Sequence, residues 1–329
     1  MKKFSHTGMR NIMLRVAAAA AAILLLTGCE KKEETATVRV GSLKGPTTMG
    51  IVHLIHDAQA GETEGNYEFT MAAAADELTG ALAAQQLDIA LIPANAAAIL
   101  YQKTDGGIRV IDINTLGVLY CLTGREDIKG IKDLSGKTVY TTGQGTTPEY
   151  ALNYLLSEYG VSDCSLSFCS EATEAAAYLQ KDPDLIAVLP QPFVTAALMQ
   201  NENLNSVFSL SEEWDALENG SGLVTGVTVV RTEFLEEHPE EVRKFLEEQE
   251  KSVTEALQDT DETAQLIVEQ GIMEKVPAAK KALPECNLVC ISGDDMKEKL
   301  SGYLQTLFDQ NPSAVGGAMP DEDFYAKLK

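Results

Sequence analysis

The chain has 329 residues, 26 Lys and Arg against 49 Asp and Glu, and a formal net charge of −23 at pH 7. So acidic a composition excludes a nucleic-acid binder and a protein that lies flat on an anionic membrane, since both need a positive footprint. The 6 cysteines are too few for a disulfide scaffold, and the length exceeds what one small core requires.

In chain order, Lys2, Lys3, Arg10 and Arg15 form a basic start, and the apolar run "VAAAAAAILLL" follows at 16–26. A run of that length suits a signal peptide and is too short to span a membrane as a helix. Leu26 to Cys29, "LTGC", resembles the lipobox of bacterial lipoproteins. The resemblance implies a signal peptide over 1–28 and a lipid, palmitate included, on Cys29, against the alternative of an ordinary secretory signal with an unrelated cysteine. Removing residues 1–28, with their four positive charges and no acids, deepens the net charge from −23 to −27. Residues 29–37 are polar, carry no apolar periodicity, and read as a tether.

Beyond the tether, strand and helix patterns alternate. Apolar strand-like runs such as "VRVGSL", "DIALIP", "KTVYTT" and "LIAVLP" are separated by helical patterns such as "ADELTGALAAQQ" and "PEYALNYLLSEYG". That alternation predicts an α/β chain of mainly parallel sheet with helices on both faces. In "GSLKGPTTMGIVHL" (41–54) a strand meets Gly45 and Pro46, which force a turn, and Thr47 or Thr48 is suited to cap the helix that starts there. Strand, glycine turn, Thr-Thr and helix recur at 137–156, and the strand–Pro–helix pattern of 88–100 recurs at 184–198. Any α/β chain repeats such units, but two motifs in the same order at nearly the same spacing predict two similar lobes. Each lobe offers two loop-to-helix junctions at the carboxyl ends of its strands, the edge where open parallel sheets bind ligands. A long helical stretch over 232–259 should break near His238-Pro239.

The junctions supply the candidate ligand contacts. Lys44, Thr47, Thr48 and Met49 come from the first, Asn95 from the second, and Gln144, Thr146, Thr147, Gln191 and Phe193 from the other lobe. Helix starts present free N–H groups suited to a small polar or anionic group. Arginine is scarce in these loops, which disfavours a dianion such as phosphate or sulfate. A monoanion on Lys44 or a neutral heteroaromatic remain open, with Trp214 and Tyr101 either stacking on a ring or serving as packing.

Sharper chemistry finds little support. "GQGTTP" (143–148) half matches a dinucleotide-binding loop, but Pro148 stands where the third glycine belongs, and no acidic residue ends a following strand at the required distance. Pro148 instead suits the first helical position with Thr147 as cap. His53, His56 and Asp57 share one helix face and read as solvated, without partners for a metal. No nucleophile elbow occurs, Cys121 has no evident base, and Cys164, Cys169, Cys286 and Cys290 read as small thiols on strand-like runs. No catalytic residue, metal or cofactor is expected.

Lipobox, tether, two α/β lobes and "DLSGKTVYTTGQGTTPEYALNYLLSEYG" (133–160) together resemble extracytoplasmic solute-binding proteins of ABC transporters. The similarity is to the group handling nitrate, alkylsulfonates, taurine and thiamine pyrimidine precursors. It rests on Asp133-Leu134-Ser135-Gly136-Lys137-Thr138-Val139 before a Gly-rich loop and on "TGVTVVRTEFLEEHPEEVRKFLE" (225–247). The resemblance implies a type II periplasmic-binding-protein fold. Residues 37–120 and 225–329 would form a discontinuous first lobe and 121–224 the second, with Gly124 and Gly222 as points of flexion at two crossing strands. It further implies a monomer that needs no enzyme chemistry and is anchored outside the cell membrane. Its partners would be a small-molecule ligand and the permease and ATPase subunits. Related two-lobed folds also host lyases of menaquinone biosynthesis, which is the enzyme alternative; a lipoprotein sensor domain is the third.

Overall fold

Residues 36–328 are described by the computed structural model. The signal peptide, Cys29 and most of the tether lie outside the described residues. In chain order the elements are β1 (Thr37–Leu43), α1 (Pro46–Met49), α2 (Val52–Ala60), β2 (Asn66–Ala72), α3 (Ala75–Ala83), β3 (Ile89–Pro93), α4 (Ala94–Lys103), β4 (Ile108–Leu116) and β5 (Leu119–Thr123). Then come β6 (Thr138–Thr141), α5 (Thr147–Glu158), β7 (Ser165–Phe168), α6 (Ala172–Lys181), β8 (Ile186–Pro190), α7 (Phe193–Gln200), β9 (Asn205–Ser209) and α8 (Leu210–Asp215). The chain returns through β10 (Val224–Arg231), α9 (Thr232–Glu237), α10 (Pro239–Gln258), α11 (Thr260–Glu269), α12 (Val276–Ala282), β11 (Leu288–Ile291) and α13 (Gly293–Gln310).

The strands form two sheets, in the orders β2-β1-β3-β10-β4-β11 and β7-β6-β8-β5-β9. The internal repeat of the sequence is visible here as topology. In the first sheet β1 pairs in parallel with β2 and β3; in the second β6 does so with β7 and β8. An antiparallel strand then closes each parallel trio, β10 against β3 and β5 against β8. The α/β two-lobed class is therefore as expected, while each sheet is mixed, because β5 and β10, the strands entered after each crossing, and β11 run against the parallel strands. Burial explains the compositions. Ile89 to Ile92 in β3 and Ile186 to Leu189 in β8 are buried on both faces and read as continuous apolar runs. β2, at an edge, alternates through most of its length instead.

The first crossing is short, Leu116 to Val118. A Cβ on Gly117 would fall 2.0 Å from Ser211 Oγ and 2.7 Å from Leu223 Cδ2, so only glycine lets the two crossing segments touch there. Gly124, expected at a crossing, lies past the far end of β5, where its N–H donates to Pro183 O at 2.6 Å. Gly222 does stand in the second crossing, with open space around it. The lobes also share packing. One cluster of buried side chains runs from Val110 and Ile113 through Trp214 and Tyr303 to Val139 and Leu152. Helix α13 contributes Met296, Leu300, Tyr303, Leu304 and Leu307 to it, one stripe spaced by threes and fours along the helix.

Several local expectations change for identifiable reasons. The helix anticipated at Thr47 is a four-residue α1 that breaks at Gly50 before α2 begins. Helix α9 ends at Glu237 and α10 starts at Pro239, as the His238-Pro239 step predicts. His53 is buried, with Nε2 2.8 Å from Thr263 Oγ1, because α11 packs over the face that looked solvated; His56 is exposed. Trp214 is fully buried, its ring 4.4 Å from that of Tyr154, and its Nε1–H donates to Ser221 Oγ. Tyr101 packs edge-on against Phe324. Both are packing residues in this structure. Cys121, Cys169 and Cys286 are buried, Cys164 and Cys290 half-buried, and all are free thiols.

Candidate functional site

The two parallel trios end in four junctions: β1 to α1, β3 to α4, β6 to α5 and β8 to α7. What each offers a ligand depends on which polar atoms remain free. At the first junction both threonine hydroxyls turn back to the strand, Thr47 Oγ1 and Thr48 Oγ1 each donating to Leu43 O at 2.6 Å. Thr48 Oγ1 also lies 2.9 Å from Ser42 Oγ. Neither threonine caps a helix; Gly45 holds that position, with no side-chain cap. Met49 is fully buried in a cluster with Val52 and Leu283, its sulfur 3.7 Å from Cys286 Sγ. Lys44 is exposed, and its side chain makes no hydrogen bond or ion pair among the described residues.

The second lobe shows the same economy. Thr146, not Thr147, occupies the N-cap position of α5, and its hydroxyl donates to Gly143 O at 2.6 Å. Thr147 is buried and accepts a hydrogen bond from the hydroxyl of Tyr303 on α13 at 3.1 Å, leaving its own proton to donate. The N–H of Gly145 is already taken by Glu149 Oε2 at 2.5 Å, so this loop carries a resident carboxylate where an anion was expected. Gln191 is buried, and its Oε1 accepts from Thr195 Oγ1 at 2.9 Å. Phe193 is 36 % exposed at the start of α7. Gln144 is exposed and Asn95 nearly buried, and neither side chain has a hydrogen-bond partner among the described residues. Among the described residues the side chains of Lys44, Asn95 and Gln144 therefore have their polar groups unengaged.

This division gives a direct test. Thr48→Ala removes a buried hydroxyl and should cost about 1 kcal/mol of folding stability while leaving ligand affinity alone. Lys44→Met should leave apo melting unchanged, and for an anionic ligand it should lower affinity and weaken its salt dependence. Melting curves and titration calorimetry on the two variants separate the effects.

Residues around these junctions include several that sequence reasoning passed over. Asn114 and Thr115 from β4 crowd Gly226, where an added Cβ would sit 2.5 Å from Asn114 Oδ1 and 2.8 Å from Thr47 Cγ2. Asn114 Nδ2 donates to Thr228 Oγ1, and Thr228 Oγ1 donates to Asp112 Oδ1 at 3.1 Å, so a buried polar chain runs from the junction into the first sheet. Gln249 Nε2 on α10 also donates to Asp112 Oδ1 at 3.0 Å, and Oδ2 has no partner among the described residues. Burial pushes the Asp112 carboxyl up to about 7. The signal available beforehand was a lone acidic residue inside the strand run "IRVIDI", whose other residues are apolar apart from Arg109. Burial also pushes the Cys121 thiol up, the opposite of the lowering that activates a cysteine nucleophile.

Similarity to solved structures defines the class: a two-lobed binding-protein fold. An ABC transporter protein from Parabacteroides distasonis superposes with a TM-score of 0.77 at 22% identity, covering 89% of this chain and 99% of that one. The periplasmic aliphatic sulphonate binding protein SsuA from Escherichia coli gives 0.69 at 14% identity, over 89% of this chain and 92% of that one. The alkanesulfonate-binding protein SsuA from Xanthomonas axonopodis pv. citri, bound to MOPS, gives 0.61 at 14% identity, over 87% and 95%. The sequence profile of the family described as Menaquinone biosynthesis, VitK2_biosynth, matches residues 38–307, and the chain belongs to that family. No curated protein sequence matches the chain.

Proposed function

We propose that this protein is a lipid-anchored extracytoplasmic solute-binding protein rather than an enzyme. It captures a small organic or oxyanion ligand, such as a sulfonate, nitrate or a pyrimidine precursor, between its lobes and delivers it to an ABC importer. The observation that carries the reading is the duplicated junction set. Two parallel trios of the same order each end in two loop-to-helix turns, and Lys44, Asn95 and Gln144 there have free polar groups. The SsuA proteins of like fold are described as binding sulphonates, which supports the ligand class by analogy of fold. The protein works as a monomer, with lobes 37–120 plus 225–329 and 121–224, and its partners are the permease and ATPase subunits.

A thermal-shift screen of sulfonates, nitrate, pyrimidines and amino-acid-like acids tests the reading. A true ligand at 100 times its Kd stabilises by about 2.7 kcal/mol. Absence of any such shift across the panel argues against a solute carrier of these classes. The anchor has its own test. Cys29→Ala should leave uncleaved or soluble protein, and unchanged membrane fractionation and lipid labelling would refute lipidation at that residue.

The family match favours a second reading, an enzyme of menaquinone biosynthesis such as a lyase. Permease and ATPase genes beside this one would favour transport. Chemical conversion of a ligand that binds the cleft would favour the enzyme.

A further inference from the structure

Asn219-Gly220 is the only Asn-Gly step in the chain. It stands in the second crossing, between α8 and β10, and both residues are exposed. Gly220 has φ 77°, a left-handed conformation that suits glycine, and open space surrounds the position a Cβ would take. Its N–H has no acceptor among the described residues. The Asn219 side chain, by contrast, is held. Its Oδ1 accepts twice from Ser221, from the backbone N–H at 2.9 Å and from Oγ at 2.7 Å. Its Nδ2 donates to the Tyr154 hydroxyl on α5 at 2.8 Å. Ser221 is fixed in turn. Trp214 Nε1–H donates to its Oγ at 2.9 Å, which leaves the serine proton for Asn219. Helix α13 backs it closely, since a Cβ on Gly302 would fall 2.6 Å from Ser221 Cβ.

We propose that Asn219 is a self-modification site, at which the fold promotes closure of the side chain onto Gly220 and loss of ammonia. The two Ser221 donors polarise the amide carbonyl and hold the charge that builds on Oδ1 under attack, as an oxyanion hole does. The Gly220 backbone nitrogen gives up its proton to water and forms a bond to Asn219 Cγ. The Cγ–Nδ2 bond breaks, and Nδ2 leaves as ammonia with the proton of the Tyr154 hydroxyl. Solvent returns the proton released by Gly220 to Tyr154. One water then opens the five-membered succinimide. Addition at Cγ leaves aspartate, and addition at the main-chain carbonyl carbon leaves isoaspartate, whose backbone runs through Cβ. Water is the only co-reactant. Either product sets a carboxylate where an amide donor met Tyr154, and isoaspartate adds a carbon to the main chain of the second crossing. The modification therefore acts on the link between that crossing and α5, the helix that begins at the Thr146–Thr147 junction.

The test compares the full chain folded in buffer with the same chain unfolded in guanidinium chloride, both at mildly alkaline pH. Mass spectrometry of the peptide that holds residue 219 follows the exchange of an amino group for a hydroxyl, and enzymatic methylation counts isoaspartate. An unfolded Asn-Gly step reacts without help, so the ratio of the two rates isolates what the fold contributes. Folded wild type should react about tenfold faster than unfolded. Ser221→Ala and Tyr154→Phe should each bring the folded rate down toward the unfolded one and leave the unfolded rate, where neither contact exists, as it is. A folded wild type that reacts no faster than its unfolded form would overturn the proposal, because the hydrogen bonds then hold the amide away from Gly220. Folded variants that both keep the wild-type rate would overturn it too. If melting curves show a variant to be unfolded, the wild-type ratio decides by itself.

Discussion

Asp112→Asn is expected to stabilise the protein at pH 8 by up to ~4 kcal/mol and to change little at pH 4. Asp112 is fully buried on β4, with hydrogen bonds from Thr228 and Gln249 on one oxygen only. Burial raises its carboxyl from the ordinary 3.8 to about 7, and those two hydrogen bonds offset only part of that rise. No cation pairs with it among the described residues; the nearby Cys290 thiol is itself pushed up, first by burial and then by Asp112. A group that binds its proton more tightly in the folded state gives stability that is whole below its unfolded value. That stability is lost as pH rises through the folded value. The wild type should thus lose stability between about pH 4 and pH 7 from this residue, and an uncharged asparagine of the same shape should abolish that slope. Urea unfolding of both proteins across the range checks it; parallel pH profiles would show that Asp112 is not ionising in the core.

Asp88→Ala should cost about 3–5 kcal/mol, the size expected when one partner of a buried ion network is removed. Asp88 is buried at the start of β3. Its Oδ2 accepts from Arg39 Nε at 2.8 Å and from the Arg39 backbone N–H at 3.0 Å. Its Oδ1 accepts from Arg39 Nη2 at 2.6 Å and Arg231 Nη2 at 2.9 Å. One carboxylate therefore joins β1, β3 and β10 across the centre of the first sheet. Burial alone would raise this carboxyl, but the arginine hydrogen bonds outweigh it and hold it below the usual range. The sign is opposite to that of Asp112. The contribution of Asp88 is present above its unfolded value and is lost as pH falls through the folded one. Denaturant midpoints at pH 7 should drop sharply in Asp88→Ala and by much less at pH 2. Equal losses at both would mean that packing, not charge, carries the effect.

Period and punctuation in the sequence determined the two-lobed α/β class, the repeat of β1–β3 by β6–β8, and the break at His238-Pro239. Each of these follows from short-range rules: apolar runs, glycine and proline at turns, and helical spacing. The chain itself determined less about the site. Which residues stand at strand ends was legible, since Lys44, Asn95 and Gln144 follow directly from strand-to-helix junctions. Which of their neighbours keep a free polar atom was decided by the tertiary structure. Thr48 turns to Leu43 and Ser42, Thr147 meets Tyr303 from a helix 156 residues later, and Met49 packs on Cys286. Local propensity fixes where a hydroxyl stands along its own element. A hydrogen bond to a distant helix depends on how the crossing segments fold the last third of the chain back over both sheets. The same cause hid the burial of His53 and Trp214 and set Asp112 opposite Gln249: the packing face of an element is set by a partner remote in sequence, and no local pattern encodes it.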